Sequence, residues 1–460
     1  MTSSLTPTIT KSWLQDLKRN ASNGTSSLNY WAVNQSTLIT TSQPIFFSLG
    51  TGAQILDATV SKCEATNHEL IITTCFWAKS SSQEAISALL IKLSAKAIAQ
   101  NRKIHVRICF SSYSITQKLF QTSSLSGKIY PPSSWTNLWL PSPEQLAGLD
   151  MEVKSVFVRP FSVMHPKFIL VDRKLVFMPS CNVSWEAWFE GCIEMKGGIA
   201  EKLFDFWVTF WAQGKTSLPA FLPDEVEPDQ TSHPDPGKNT PSLIKQADFS
   251  PELMTPQTIL LPSPHHRNPR FHFNFTTPPP CPPTPLNLFL LQIFAQARRT
   301  IFIQTPNITS APVVAALHSA LTRGVDVHLV TSRKLMILEQ LVTAGTITEF
   351  EIWKLRRWHR KLHAMHAKGD AELGSQRPGG LRVGYYHARE GVRDKNEPVK
   401  SHLKLVIVDE EVTVQGSGNM DRASWYTSQE LGVAFFSADI ATMTRDCVNE
   451  GLIGRVDYVS

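Results

Sequence analysis

The 460-residue sequence is short of several things, and each shortage excludes a class of protein. No run approaches the ~18 apolar residues that a membrane-spanning helix needs. The best stretch, Leu286 to Ala297, is broken by Asn287, Gln292 and Gln296 and reads as the face of a buried helix. The seven cysteines are an odd, scattered set without a C-x-x-C pair. That argues against a disulfide framework or a zinc site and for a reducing compartment. Cys181 and Cys192 are expected to act as small apolar side chains. Met1 to Thr10 is Ser/Thr-rich and lacks an apolar core. No secretory signal is therefore expected, and the predicted location is cytoplasmic, with or without membrane association. Charged residues make up only 18% against 42% apolar, a globular balance with material for two cores. The net charge of +6 suits anionic substrates or membrane surfaces without choosing between them.

What the sequence does contain is one long pattern, present twice. His165, Lys167 and Asp172 are followed after six residues by Pro179-Ser180-Cys181-Asn182, then by Ser184-Trp185 and Glu190. About 240 residues later, His402, Lys404 and Asp409 keep the same spacing. Six residues on come Gly416-Ser417-Gly418-Asn419, then Ser424-Trp425 and Glu430. The one spacing difference lies between Asn and Ser: one intervening residue in the first copy, four in the second. A single H-x-K-x4-D is a weak motif, but a repeat of this length with matching tails indicates two related halves.

Each copy runs into an apolar β-rich segment, Lys167 to Val171 and Lys404 to Val408. Residues i and i+2 of a strand share a face, so each His and Lys are predicted to project together and each Asp to face away. Lys offers a point charge to a phosphate oxygen and Asn a neutral donor. Two imidazoles brought face to face can serve as nucleophile and general acid. Each then needs an acceptor on its other nitrogen, and Glu190 and Glu430 are the candidates.

These residues resemble the signature of the phospholipase D superfamily, H-x-K-x4-D-x6-G-S-x-N, carried twice. The second copy matches throughout, and the first departs at Pro179, where the family has Gly. The resemblance implies an α/β protein of two similar α/β/α sandwich halves related by a pseudo-twofold, with the active site at their interface. It implies phosphodiester cleavage or exchange through a phosphohistidine, with neither metal nor cofactor. His165 would be the nucleophile and His402 the general acid, protonated at rest, and later the base, with Glu190 and Glu430 each orienting the His of the opposite half. Lys167, Lys404, Asn182, Asn419, Ser180 and Ser417 would hold the phosphate, and Asp172 and Asp409 would be structural. The implied substrate is a phospholipid or another phosphodiester. A cardiolipin synthase-like transferase, a nuclease acting on nucleic acid and a non-catalytic scaffold are the alternatives. Trp185, Trp188, Trp425 and Tyr426 flank the motifs and suit either acyl chains or stacked bases. A monomer with an internal pseudo-dimer is implied as well.

The rest of the chain fits that frame. Strand, helix and strand are predicted at Leu70–Trp77, Gln83–Gln100 and Ile104–Phe110, and again at Thr300–Gln304, Ala311–Thr322 and Val325–Val330. Such alternation indicates parallel pairing in an α/β layer. The predicted division is an N-terminal half at 1–212, a Pro-rich linker at 213–285, and a C-terminal half at 286–460. Within the linker, Thr258–Leu261 reads as a short strand. Trp353 to Lys368 carries six Lys and Arg, with Leu355, Trp358, Leu362 and Met365 at near-helical spacing. A basic amphipathic helix of this kind lies on an anionic membrane or polyanion, or else covers the core with a solvated face. His359, His363 and His366 have no nearby Cys or acid and are not expected to bind metal.

Overall fold

The structure is a computed structural model. It describes residues 6–21, 31, 34–114, 117, 126–158, 162–212, 243–249, 255–265, 280–368, 377–392 and 396–459. The proline clusters predicted as connector therefore fall mostly outside the described residues. Three pieces of the linker are described: two contain strands, and the third, 280–285, leads into the helix at Pro285–Gln296. Lys245–Asp248 pairs with the strand at Ile39–Gly50, and Gln257–Ser263 contains the short strand predicted at Thr258–Leu261.

Fifteen strands carry the architecture. In the N-terminal half these are β1 (Ile39–Gly50), β2 (Glu69–Phe76), β3 (Ile104–Ser112), β4 (Leu149–Ser155), β5 (Phe168–Val171), β6 (Leu175–Pro179) and β7 (Trp188–Gly197). The rest are β8 (Gln257–Ser263), β9 (Thr300–Gln304), β10 (Asp326–Ser332), β11 (Leu381–Tyr386), β12 (Leu405–Val408), β13 (Val412–Gly416), β14 (Glu430–Phe436) and β15 (Val456–Val459). The first half pairs in the order β4-β3-β2-β5-β6-β7-β1, with β4, β3 and β2 parallel and the rest antiparallel. The second pairs as β11-β10-β9-β12-β13-β14-β8, with the same senses at every step. β1 and β8 then pair with each other, antiparallel, from Ile39 to Thr41. Two halves of one plan are thus joined edge to edge into a continuous sheet.

Helices cover both faces. They are α1 (Thr6–Ala21), α2 (Gly52–Cys63), α3 (Ser81–Ala99), α4 (Ile199–Trp207), α5 (Pro285–Gln296), α6 (Ala311–Thr322), α7 (Ile337–Ala344), α8 (Thr348–Ala367), α9 (Arg422–Tyr426) and α10 (Ala438–Gly451). Local chemistry sets their starts. Thr51 and Gln54 form a reciprocal capping box on α2, and Ser80 and Thr284 cap α3 and α5. On α3, which falls on the helix predicted at Gln83–Gln100, Ile86, Leu89, Leu90, Leu93 and Ala97 are buried, while Ile98 is exposed. α1 was not foreseen. It lies on the C-terminal half, where Trp13 is fully buried, meets Phe289 edge-on and donates from Nε1 to the Pro285 carbonyl at 3.0 Å. Among the described residues, no helix is long and apolar enough to cross a membrane.

Candidate active site

The site forms where each half reaches into the other. The backbone N–H of His165 donates to the Gln429 carbonyl at 2.9 Å, and that of His402 donates to the Phe189 carbonyl at 2.9 Å. Gln429 and Phe189 are the residues just before Glu430 and Glu190. Each histidine is thereby laid alongside the first residues of the other half's β14 or β7. The side chains obey the same exchange: His165 Nδ1 lies 2.9 Å from Glu430 Oε2, and His402 Nδ1 lies 2.8 Å from Glu190 Oε1. Both glutamates are buried. With Nδ1 held by a carboxylate, the ring's other nitrogen is the one left for chemistry. Among the described residues no hydrogen bond to either Nε2 is seen. Both imidazoles line one cavity of about 580 Å³, together with Asn182, Asn419 and Glu430.

Burial sets the electrostatics. It pulls the His402 pKa down to about 4, against the opposing pull of Glu190. His165 is lowered for the same reason, with Glu430 opposing. Burial alone would raise the pKa values of Glu190 and Glu430, but the facing imidazoles and serine donors outweigh it, and both end lowered. His402, expected to rest protonated, is therefore neutral in the free site. A bound phosphodiester brings the negative charge that would let it hold a proton.

The lysines stand behind the imidazoles rather than on the cavity wall, a correction to the predicted lining. Lys167 Nζ donates to the His165 carbonyl at 2.9 Å, and Lys404 Nζ to the His402 carbonyl at 2.6 Å. Burial drags the Lys404 pKa down to about 7. Each His and Lys lies just ahead of β5 or β12, not within the strand. The serines also differ from expectation. Ser180 donates to Glu190, and Ser417 donates to Glu430 at 2.5 Å, so they position the glutamates rather than face the phosphate. Asp172 and Asp409 do face away. Each takes a left-handed backbone and accepts three successive backbone N–H groups, from Asn67, His68 and Glu69 or from Arg298, Arg299 and Thr300, at 2.7–2.8 Å. They tie the motif strand to the chain entering β2 or β9.

Pro179 does not displace the residues after it. Ser180 N still donates to the Gly191 carbonyl at 2.8 Å, as Ser417 N does to Leu431 at 2.9 Å. The three extra residues of the second copy are taken up by α9. Asp421 caps it, accepts from Asn419 Nδ2 at 3.0 Å, and delivers Ser424 Oγ to Glu430 at 2.7 Å. Asp421 and Ser424 were missed as site residues, and the longer spacing was their signal. Trp188 packs against the His402 ring at 4.8 Å, and Trp185 is 65% exposed at the cavity wall. Trp425 and Tyr426 are buried in the C-terminal core, so they do not flank the cleft.

A family described as "Cardiolipin synthase, PLD-like domain" matches residues 290–449, which span the whole second motif. Residues 290–449 thus match a phospholipase D-like domain. The fold of the chain is similar to the crystal structure of a phosphatidylserine synthase from Haemophilus influenzae Rd KW20. The TM-score is 0.57 at 14% identity, over 96% of this chain and 92% of that one. A phospholipase D family member, Nuc from Salmonella typhimurium, aligns at 17% identity with a TM-score of 0.26, over 38% of this chain and 91% of that one. No curated protein matches the chain. The match of residues 290–449 supports phosphodiesterase or phosphatidyltransferase chemistry in general terms.

Proposed function

We propose that this protein cleaves or transfers the phosphodiester of a phospholipid through a covalent phosphohistidine on His165. The observation that carries the proposal is the reciprocal pairing of each imidazole with the glutamate of the opposite half, which leaves two Nε2 atoms on one cavity. His165 Nε2 attacks phosphorus, a P–N bond forms, and the P–O bond to the leaving group breaks. His402 gives its Nε2 proton to that oxygen. The neutral His402 then takes the proton of water or of an alcohol as the incoming oxygen attacks, and the P–N bond breaks. Asn182 and Asn419 line the same cavity and would donate to the equatorial oxygens, and Lys167 and Lys404 would supply positive charge from behind. His165 is the more exposed of the two rings, with 13% of its side chain accessible against 5% for His402. That difference favours His165 as the group that meets phosphorus. The proposed working units are an N-terminal half at 1–212 and a C-terminal half at 286–460, the latter extended by β8 from the stretch read as linker and packed against α1.

A lipid is favoured over a nucleic acid because the cavity wall is apolar away from its floor: Phe157, Val163, Trp185, Met336, Leu338 and Val342. The family description also names an enzyme of lipid synthesis. The test sets labelled phosphatidylcholine vesicles, with and without added glycerol, against a labelled single-stranded oligonucleotide. Head-group release or exchange from the lipid is expected. Cleavage of the oligonucleotide with no turnover of lipid would transfer the proposal to the nuclease alternative. With His402→Asn and a substrate whose leaving group needs no proton, acid-labile label should accumulate on the peptide containing His165. Label on His402 in a His165→Asn protein, with none in the converse variant, would invert the roles.

A further inference from the structure

One helix at the mouth of the cavity is built inside out. α7, Ile337 to Ala344, has a single buried residue, and it is the polar Gln340. Its large apolar residues are mostly exposed: Leu338 at 80%, Val342 at 52% and Leu341 at 48%, with Met336 just before it at 40%, while Ile337 is half-buried. A surface helix normally does the reverse, because burying its apolar stripe is what holds it in place. α7 is held by hydrogen bonds instead. Gln340 Nε2 donates to the Leu335 carbonyl at 2.6 Å and to Asn307 Oδ1 at 3.2 Å. Its Oε1 accepts from Thr348 N and Thr348 Oγ1, both at 2.8 Å. Arg422 adds a bond to the Thr343 carbonyl at 3.0 Å. A protein that fixes an apolar ridge in water by polar pins keeps that ridge for a partner.

The ridge has a continuation. Three residues link α7 to α8, whose first two turns expose Phe350 at 50% and Trp353 at 46%, stacked on each other at 5.7 Å. Cations lie beside and beyond them. Lys354 sits over the Phe350 ring and Arg357 over the Trp353 ring, and Arg360 and Lys361 are also exposed. The acids of this helix, Glu349 and Glu351, are half-buried and engaged, Glu349 with Lys334 N and Glu351 with Thr346 and Lys354. The other face of α8 puts Ile352, Leu355 and Leu362 into the core. Exposed aliphatics, then paired aromatics, then cations is the order in which a bilayer presents acyl chains, interface and anionic head groups.

We propose that α7 and the first turns of α8 form a docking surface for an anionic phospholipid bilayer. Leu338, Leu341 and Val342 enter the acyl layer, Phe350 and Trp353 sit at the interface, and Lys354, Arg357 and Lys361 contact head groups. Leu338 and Val342 also line the cavity, so docking would set its mouth against the lipid. This deepens the proposed lipid function and rests on it for its purpose, but binding is measured without turnover.

The experiment uses the full chain with vesicles of phosphatidylcholine alone and with about one-third phosphatidylglycerol, read by co-sedimentation. A monomeric chromogenic phosphodiester is assayed in parallel. Wild type should bind the anionic vesicles. Leu341→Asp, outside the cavity wall, should weaken binding about tenfold or more, and Trp353→Ala, on the other helix, severalfold. Arg357→Glu should weaken binding to anionic vesicles about fivefold or more and leave the neutral ones unaffected. Leu341→Asp and Trp353→Ala should turn over the monomeric substrate as wild type does, which also shows that they are folded. The proposal is overturned if both variants bind vesicles as wild type does, or if wild type prefers a single-stranded oligonucleotide to anionic vesicles. Binding without any phosphodiester turnover would leave the docking surface standing and remove the proposed chemistry instead.

Discussion

The two halves solve the same packing problem with opposite residues. Where the motif turns toward its Asn, the N-terminal half has Cys181 and the C-terminal half Gly418. The helix that covers this turn, α2 or α5, compensates. A Cβ on Gly52 would lie 3.2 Å from Cys181 Cβ, and a Cβ on Gly418 would lie 3.1 Å from Leu286 Cδ2. The larger side chain comes from the turn in one half and from the helix in the other. The ladder position before it differs too. Pro179 faces Cys192, whereas Gly416 faces Gly432. A Cβ on Gly416 would come within 2.2 Å of the Leu431 carbonyl oxygen. The repeat therefore preserves the placement of His, Glu and Asp, and leaves the filling of space free to vary between halves.

The widest test of the comparison concerns chemistry. His165→Ala and His402→Ala should each lower turnover by ~10³-fold or more, and the double variant should be little worse than either, since the pair acts as a unit. Independent, multiplying losses in a steady-state assay would break the symmetry. Next is the turn itself. Gly416→Ala should cost about 2–4 kcal/mol by thermal unfolding, because backbone must move. Pro179→Gly should cost under about 1 kcal/mol, chiefly through chain entropy. Equal costs would mean that the halves tolerate the same residues after all.

Titration sharpens the contrast further. With Lys404 held at about 7, the unfolded chain keeps a proton between pH 7 and 10.5 that the folded protein has released. Folding stability should rise with pH across that window, and its full cost is present below pH 7. Lys404→Met should flatten the rise and raise stability near pH 6 by about 1–3 kcal/mol, while turnover is lost. His402 acts in a different window. Its folded pKa of about 4 lies below that of the unfolded chain, so stability should fall as pH drops from about 6.5 toward 4, and His402→Asn should reduce that fall. Chemical denaturation at a series of pH values checks both slopes.

Smaller effects come from the supporting groups. Asp172→Asn and Asp409→Asn keep a side chain that tolerates the left-handed turn but weaken three charge-assisted bonds. Each should lower stability by ~1–2 kcal/mol with turnover per folded molecule unchanged. A loss of turnover without a loss of melting temperature would place either Asp in the chemistry. Ser424→Ala removes one donor to Glu430 for which Glu190 shows no counterpart among the described residues. It should slow turnover only a fewfold, and a change beyond tenfold would mark the C-terminal carboxylate as the more critical of the two.

Much of the site was legible because spacing along a strand is local geometry. The parity that puts Asp on the far side from His is set by a period of two, and the helices at 81–99 and 311–322 by a period near 3.6. Ser180 and Ser417 were misplaced because their assignment depended on what stood opposite. A serine with a buried carboxylate across the ladder donates to it, and strand parity cannot show that neighbour. Trp425 and Tyr426 failed likewise: the longer spacing after Asn419 made a helix turn that carried them into the core.

By itself, the sequence determined that one motif occurs twice, which residues of each copy are candidates for the chemistry, and that each copy is accompanied by alternating strand and helix. Those properties rest on short-range periodicity and on a repeat. The sequence pattern led to the expectation that each histidine meets the glutamate of the other half; tertiary structure alone decided the distances at which they meet, that the lysines stand behind the rings, and that α7 turns its apolar side outward. These depend on which edges meet: β1 with β8, and each motif with the far half's β7 or β14. Residues more than 200 positions apart are joined by hydrogen bonds and burial that no local pattern encodes.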